Sequence, residues 1–211
     1  MKKPSLIIVG CGPGSPDYLT PAARIAVEQA EVLVGAGRLL ELFPGHSAEK
    51  IIVGSDIDKV IGEIDSRRGR RIVVLVTGDP GLCSLARPIL KRFGRSACEV
   101  IPGVSSVQVA FARIGMDWLD ARIIDAHGEN PHIGPASLKK EGKIAIFAGR
   151  KEALDWITEV INAIGKGRRI YLCENLTLED EKVRQIEPGV LEEVEPSSRT
   201  IVLMIREELF L

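Results

Sequence analysis

The stretch "IIVGCGPGSPDYLT", residues 7–20, sets a short apolar run against a glycine-rich turn. Such a run predicts a buried strand that ends at a loop whose backbone could approach a ligand closely. The loop departs from the dinucleotide fingerprint G-x-G-x-x-G, because its glycines are Gly10, Gly12 and Gly14 and Pro13 lacks the N–H that a pyrophosphate would need. Two interpretations stay open: a turn that binds another kind of ligand, or a tight turn without a ligand.

Similar apolar runs, rich in Val and Ile, alternate with longer amphipathic stretches along the chain. The candidate strands are residues 5–10, 31–35, 50–54, 71–78, 98–103, 121–128, 143–149, 169–175 and 199–205, and the candidate helices are residues 21–30, 56–66, 84–94, 105–115 and 151–165. Near-continuous apolar strands separated by helices predict a mostly parallel sheet covered on both faces. Because the pattern restarts after Gly115, we predict an α/β fold of two domains, residues 1–115 and 116–211.

Composition excludes several classes of protein. The 211 residues are 45% hydrophobic and 27% charged, and the net charge of −1 provides no global field that would attract nucleic acid. The apolar run near the N-terminus is too short for a signal peptide, and no stretch approaches about 18 apolar residues. We therefore expect a cytoplasmic protein with neither a membrane span nor a nucleic-acid partner.

Cysteine and histidine spacing does not indicate a metal site. The four cysteines form no C-x-x-C pair, which argues against both a zinc site and a disulfide framework. His127 and His132 flank Glu129, but a glycine and a proline interrupt the one-face helical geometry that a metal motif of this kind requires. We predict reduced cysteines and no bound metal.

Three more loops resemble the opening stretch. They are "VTGDPGLCS" (76–84), "VIPGVSS" (100–106) and "IFAGR" (146–150), and each follows a predicted strand. Ligands of open α/β sheets bind outside the carboxyl ends of the strands, so we expect the small-residue loops to line one shared cleft. Asp79 is the one acidic or basic residue in the first of these loops. An isolated aspartate at such a position is typical of a turn or a helix cap, but the neighbouring small-residue loops favour a contact between Asp79 and a ligand.

Taken together, "VGCGPGSPDYLT", "TGDPGLCS" and "IPGVSSVQVAFARIG" resemble the tetrapyrrole (corrin and porphyrin) methyltransferases that use S-adenosyl-L-methionine. Within that family, "LVGAGRLLELF", "DAHG" and "CENLT" are most similar to members that methylate C5 of the precorrin-6B macrocycle to give precorrin-7 in cobalamin biosynthesis. The resemblance implies two α/β domains with a cofactor cleft between them, usually in a homodimer. It also explains why the Gly-Pro-Gly turn at residues 12–14 would not bind a pyrophosphate.

Carried over residue by residue, the resemblance implies a set of cofactor contacts. It implies that S-adenosyl-L-methionine is bound by Pro13, Gly78, Asp79, Leu82, Ser105, Ser106, Ala148 and Gly149. Ser105 or Ser106 would also cap the following helix. S-Adenosyl-L-methionine is a folded molecule with a zwitterionic amino-acid group beside a positively charged sulfonium. One carboxylate and backbone hydrogen-bonding groups suit such a ligand better than a basic loop does.

The tetrapyrrole substrate bears many carboxylates, which guanidinium groups bind in pairs of hydrogen bonds. Arg113 and Arg150 are candidate substrate contacts, and His127, Asp125 or Glu174 could accept a proton; ordinary surface roles stay open for all five. We assign no nucleophile, because positioning the two reactants supplies most of the acceleration.

Some relatives carry a second domain for C15 methylation and decarboxylation, so we expect a separate partner protein for that step. The alternatives are another family member, acting on uroporphyrinogen in the sirohaem pathway or on diphthine, a ligand-sensing relative that has lost catalysis, and, from the first loop alone, a nicotinamide oxidoreductase.

Overall fold

The computed structural model describes residues 5–210, which fall into two compact units divided between Ser105 and Ser106. Each unit has one five-stranded sheet and its own helices, which confirms the predicted pair of α/β domains. The helix that begins at Ser106 is grouped with the second unit by its contacts, whereas the sequence-based boundary at Gly115 assigns it to the first. That boundary stays a prediction.

The first unit is built on a parallel sheet. Its strands are β1 (Leu6–Gly10), β2 (Val32–Gly35), β3 (Glu49–Ile52), β4 (Ile72–Val76) and β5 (Cys98–Ile101), in the order β3-β2-β4-β1-β5. Its helices are α1 (Pro21–Glu28), α2 (Gly37–Leu40), α3 (Ile57–Asp65) and α4 (Ala86–Phe93). All four strand pairs are parallel, as the sequence predicts.

Alternating side chains bury both faces of this sheet. Leu6 and Ile8 pack in one cluster with residues of α3 and α4, whereas Ile7 and Val9 pack in the other with residues of α1. The hydroxyl of Thr20 accepts a hydrogen bond from the Ala23 N–H, and Pro21 occupies the first turn. Because these neighbouring strands are parallel, the carboxyl ends of β2, β4, β1 and β5 lie side by side at one edge of the sheet.

The second unit has a mixed sheet. Its strands are β6 (Arg122–Asp125), β7 (Lys143–Phe147), β8 (Arg168–Glu174), β9 (Lys182–Ile186) and β10 (Ile201–Arg206), in the order β6-β7-β10-β8-β9. Its helices are α5 (Ser106–Arg113) and α6 (Lys151–Ile164). Only the β6–β7 pair is parallel, but β10 is antiparallel to both β7 and β8, so the carboxyl ends of β6, β7 and β8 lie at the same edge.

Helix α6 covers one face of the second sheet. Its predicted apolar stripe is buried and comprises Leu154, Ile157, Val160, Ile161 and Ile164. Strand residues at alternate positions, including Ile144, Ile146 and Met204, complete this core. Helix α5 lies against β10. The core of the second unit therefore lies between α6 and one face of its sheet.

The four cysteines are free thiols, and two of them are buried. Burial raises the pKa of both Cys11 and Cys173 to about 12, so these two side chains are protonated at neutral pH. Among residues 5–210, no helix combines the length and the apolar character needed to cross a membrane.

Candidate functional site

Two predicted ligand-binding loops are joined by their backbones at the carboxyl edge of the first sheet. The N–H of Gly12 donates to the carbonyl of Gly78 at 3.3 Å, and the N–H of Gly78 donates back to the carbonyl of Gly12 at 2.8 Å. The N–H of Cys11 also donates to the carbonyl of Val76. Backbone hydrogen bonds therefore hold the loop after β1 against the loop after β4.

Glycine is required where these loops meet the loop after β5. A Cβ built on Gly10 would lie 2.6 Å from the nitrogen of Gly103 and 2.7 Å from the oxygen of Gly78. A Cβ on Gly103 would lie 2.4 Å from that same oxygen. Backbone atoms at such distances cannot move aside as a side chain can, so the three strand ends pack together only without side chains.

The carboxylate of Asp79 ties two of these loops together. Its Oδ1 accepts from the N–H of Gly81 at 2.7 Å, and its Oδ2 accepts from the N–H of Gly103 at 3.1 Å. The second bond joins the loops that follow β4 and β5, which flank β1 on either side. Asp79 thus has the turn-forming role that the sequence leaves open. An ionised carboxylate has about four lone-pair sites, so this tether leaves room for a ligand contact.

The other predicted cofactor residues of the first unit lie in the same loops. Pro13 and Gly78 are buried, Leu82 is half-buried, and Ser105 is buried at the end of the loop after β5. Ser106 is the first residue of α5 and belongs to the second unit. The structure therefore groups Pro13, Gly78, Asp79, Leu82 and Ser105 at one edge of the first unit.

Arg38 is a candidate site residue that the sequence analysis did not single out. It lies in α2, directly after β2, and its guanidinium donates to the hydroxyl of Thr77 at 2.9 Å. Thr77 links β4 to the Gly78–Asp79 turn. The rule that ligands bind at the carboxyl ends of parallel strands, applied to β2, would have found this arginine.

In the second unit, the loops after β6 and β7 pack together through His127. The imidazole lies against Gly149, where a Cβ would be 2.5 Å from Nδ1 and 2.7 Å from Cε1 of the ring. Ala148 is buried, and its N–H donates to the carbonyl of Thr200 at 2.9 Å. The structure thus brings Ala148, Gly149 and His127 together, while the backbone N–H of His127 donates to Asp125.

The guanidinium of Arg150 is bonded within the same pair of loops. Its Nε donates to the carbonyl of Ala126 at 3.0 Å, and its terminal nitrogens donate to Asn130 and Glu152. The side chain is half-buried. Arg150 therefore holds the loop after β6, and a substrate carboxylate would have to compete with these acceptors.

Arg113 lies apart from these loops in a paired contact with Glu181. Its Nε and one terminal nitrogen donate to the two carboxylate oxygens of Glu181, at 2.5 and 3.1 Å. Glu181 also accepts from the N–H of Thr177. The Arg113 guanidinium, the largest cause, holds the pKa of the Glu181 carboxyl below its usual range.

The loops after β4 and β5 offer backbone donors and acceptors together with one carboxylate, that of Asp79. Apart from Arg38, the loops that directly follow β1, β2, β4 and β5 carry no lysine or arginine before their helices begin. This donor set suits a cationic or zwitterionic ligand better than a phosphate. Within residues 5–210, no group of three or more His, Cys, Asp or Glu side chains could hold a metal ion.

Known proteins resemble this chain over most of its length. A cobalt-precorrin-7 C(5)-methyltransferase of Salmonella typhimurium is 33% identical over 179 residues, which cover 84% of this chain and 88% of that protein. The crystal structure of a cobalamin-biosynthesis precorrin-6Y methylase (cbiE) from Archaeoglobus fulgidus is 30% identical with a TM-score of 0.74, covering 96% of this chain and 98% of that one.

The same fold occurs in more distant enzymes. A uroporphyrin-III C-methyltransferase from Thermus thermophilus, solved with S-adenosylhomocysteine bound, superposes with a TM-score of 0.77 at 17% identity, covering 95% of this chain and 91% of that one. The family model of the tetrapyrrole (corrin/porphyrin) methylases matches residues 5–194. The chain therefore belongs to the tetrapyrrole methylase family.

Proposed function

We propose that the protein transfers a methyl group from S-adenosyl-L-methionine to C5 of precorrin-6B, or of its cobalt form, in cobalamin biosynthesis. The observation that carries the proposal is the 33% identity to a cobalt-precorrin-7 C(5)-methyltransferase across 88% of that enzyme. A match along nearly the whole of both chains includes the parts that select the substrate as well as those that bind the cofactor. The uroporphyrinogen and diphthine alternatives have no comparable support.

The loops of the first unit are the proposed binding residues for the cofactor. Pro13, Gly78, Leu82 and Ser105 would line its methionine and ribose portions, and Asp79 would balance its positive charge while still holding the loops. The fit rests on the donor set, since small residues expose backbone groups beside a single half-buried carboxylate. Roles for Ser106, Ala148 and Gly149 in the same cofactor site stay predictions.

When bound, S-adenosyl-L-methionine supplies an electrophilic methyl group on a sulfonium. What the chain must do is orient that methyl toward an electron-rich macrocycle carbon and exclude water. Rigid loops serve this task, and the backbone contacts among Gly10, Gly78 and Gly103 leave these three strand ends little freedom. Arg38 extends the set of substrate contacts that we propose, because its guanidinium lies at the same edge and suits a macrocycle carboxylate.

Several expectations from the sequence stay predictions. They are substrate contacts by Arg113 and Arg150, a homodimer, a cytoplasmic location and a separate protein that methylates C15. Arg113 is bonded to Glu181, and Arg150 is bonded to Ala126 and Asn130, so a substrate carboxylate would have to compete with these acceptors.

Product analysis tests the proposed reaction. The purified protein is incubated with isotope-labelled S-adenosyl-L-methionine and either precorrin-6B or its cobalt form, and the product is examined by mass spectrometry and NMR. We expect one added methyl, located at C5, and no release of carbon dioxide. Label at C15, loss of a carboxyl group, or turnover of uroporphyrinogen in place of both precorrins would overturn the proposal.

A further inference from the structure

We propose that Thr77 is a positioning residue that holds the guanidinium of Arg38 as a binding subsite for a carboxylate of the tetrapyrrole substrate. The inference rests on the proposed function and deepens it, because it explains how the chain prepares Arg38 for this contact. Both residues belong to the first unit, and they meet at the carboxyl edge of its sheet. The subsite is therefore defined within one unit.

The acceptor of this pair is held by backbone hydrogen bonds on both sides. The carbonyl of Val76, the residue before Thr77, accepts from the N–H of Cys11 at 2.9 Å. The N–H of Gly78, the residue after it, donates to the carbonyl of Gly12 at 2.8 Å. Threonine is β-branched, so rotation about its χ1 bond is restricted as well. The Thr77 hydroxyl is therefore an acceptor with a well-defined position at the edge of the sheet.

The donor of the pair is held by the packing of α2. Leu39 and Leu40, the two residues after Arg38, are buried in the core of the first unit, whereas Arg38 itself is exposed. Gly35 allows the end of β2 to approach β4 closely, because a Cβ at this position would lie 3.0 Å from the Cβ of Leu75. The short helix thus begins beside the end of β4, and its arginine reaches the acceptor hydroxyl at 2.9 Å.

The bond to Thr77 orders the guanidinium without cancelling its charge. A hydroxyl is neutral, so this acceptor leaves the positive charge in place, and the bond uses one of the five N–H donors of the group. An exposed arginine ordinarily gives up much side-chain freedom when it binds a ligand, whereas a guanidinium that is already held gives up less. Thr77 should therefore raise the affinity of Arg38 for an anion through pre-organisation.

A carboxylate of the macrocycle is the anion that fits this guanidinium best in the proposed reaction. The planar fork of arginine matches the two oxygens of a carboxylate, and the macrocycle bears many such groups. Thr77 directly precedes Gly78 and Asp79, which belong to the loop proposed for the cofactor. The pair would thus bind the substrate beside that loop. The carboxylate of the cofactor itself is the other candidate occupant, and the experiments below distinguish the two.

Binding of precorrin-6B, or of its cobalt form, in the presence of S-adenosylhomocysteine tests the subsite without turnover. Titration followed by the absorbance of the macrocycle gives its Kd. We expect Arg38→Gln to raise this Kd about tenfold, the low end of what a hydrogen bond to a charged group contributes. Thr77→Val should raise it about fivefold, which corresponds to a net hydrogen bond of about 1 kcal/mol. Thr77→Ser keeps the hydroxyl and should bind nearly as the wild type does.

A double-mutant cycle tests whether Thr77 acts through Arg38. In the Arg38→Gln background, Thr77→Val should change the Kd by less than about twofold, because the guanidinium that it positions is gone. A role of Thr77 in the structure of the loop alone would persist in that background. Arg92→Gln and Thr158→Val are matched controls, since Arg92 is an exposed arginine in the last turn of α4 and Thr158 is a half-buried threonine on α6. Both should leave the Kd unchanged.

Calorimetry with S-adenosylhomocysteine alone distinguishes the two carboxylates. We expect Arg38→Gln to leave this affinity unchanged, and a loss as large as that for the macrocycle would assign Arg38 to the cofactor and overturn the inference. Wild-type affinity of Arg38→Gln for the macrocycle would overturn the subsite. Wild-type affinity of Thr77→Val, or an equal effect of this substitution in both backgrounds, would overturn the positioning role. Should Thr77→Val not fold, Thr77→Ala removes the same acceptor.

The outcomes separate this inference from the proposed function. If the wild-type protein binds precorrin-6B but transfers the methyl group to C15, the proposed function fails, whereas the subsite stands on the binding data. If the wild-type protein methylates C5 and the variants at Arg38 and Thr77 bind the macrocycle normally, the subsite alone fails. If the wild-type protein binds neither form of the macrocycle, both fail.

Discussion

The two units hold their loops by different means. At the edge of the first sheet, backbone atoms of Gly10, Gly78 and Gly103 are in direct contact, and one carboxylate crosses from loop to loop. In the second unit, side chains connect the loops, with Arg150 bonded across to the β6 loop and His127 packed on a glycine. Backbone contacts tolerate no added atoms, while side-chain contacts can rearrange. The first unit should therefore be the more sensitive to substitution.

The largest expected effect is that of Gly103→Ala. The new Cβ would lie 2.4 Å from the Gly78 oxygen and 2.8 Å from backbone atoms of Gly10, so two strand ends would have to move. Overpacking of this kind costs about 3 kcal/mol at its upper range, and we expect that loss in urea denaturation together with lost S-adenosylhomocysteine binding.

Gly54→Ala is the matched control for that experiment. Gly54 follows β3 in the same unit, and a Cβ there would have no atom within 4 Å. Its stability should stay within about 0.5 kcal/mol of the wild type, the range of ordinary surface substitutions. Equal stability of the two variants would refute the idea that backbone contact fixes this edge.

The next effect in size is that of Asp79→Asn. The amide keeps one acceptor oxygen and turns an NH₂ group toward a backbone N–H, so either Gly81 or Gly103 loses its partner. We expect a loss of about 1–2 kcal/mol in stability, and a fall in S-adenosylhomocysteine affinity of the same order if Asp79 also faces the cofactor. Calorimetry and denaturation on the same samples measure both, with Asp155→Asn as an exposed control on α6.

A difference between the effects of Asp79→Asn on stability and on S-adenosylhomocysteine affinity would be informative. Lower stability with unchanged affinity would remove Asp79 from the cofactor site and leave it as a tether only. Unchanged stability would contradict the tether. The sequence alone predicts a binding role without a cost in folding, because the bond to Gly103 spans 24 positions and is not visible in a local motif.

How far the sequence predicts the fold depends on how strongly each segment is buried. Strand β4 is apolar throughout and buried at every residue, so its existence and the loop after it follow from the residues themselves. Strand β9 was missed because Lys182, Arg184 and Gln185 make it mostly exposed at the edge of the sheet. Its place is set by pairing with β8, which local pattern does not encode.

For the candidate site, too, the sequence predicts features that depend on neighbouring residues and misses those that depend on distant ones. Small residues after strands predict loops around Gly12, Gly78 and Gly103, and the structure has a loop at each of these positions, because each lies close to the end of its own strand. The bonding of Arg150 to Asn130 and of Arg113 to Glu181 depends on how distant segments pack. From sequence, both arginines remained available for substrate. The structure shows which acceptors they already have.

A double-mutant cycle between Gly149 and His127 measures the side-chain packing of the second unit. Gly149→Ala should destabilise the wild-type background more than the His127→Ala background, because removing the ring relieves part of the overlap. We expect a coupling energy of about 1 kcal/mol, typical of residues in contact. The remaining cost reflects the Ser198 carbonyl, which the cycle leaves in place. Additive losses would mean that the ring is not packed on Gly149 in solution.

The smallest expected effect, and the one that depends on pH, is that of Glu181→Gln. Since Arg113 holds the pKa of Glu181 below its usual range, the folded protein favours the ionised form more than the unfolded chain does. The resulting stabilisation is present above the ordinary range of a glutamate, about pH 4, and is lost as the pH falls further. Both groups are partly exposed, so we expect a loss below about 1 kcal/mol at neutral pH. Denaturation across this pH range, with Glu179→Gln as the neighbouring exposed control, should show the wild type converging on the variant in acid. A difference that persists or grows as the pH falls would show that the Arg113–Glu181 pair is not what the substitution removes.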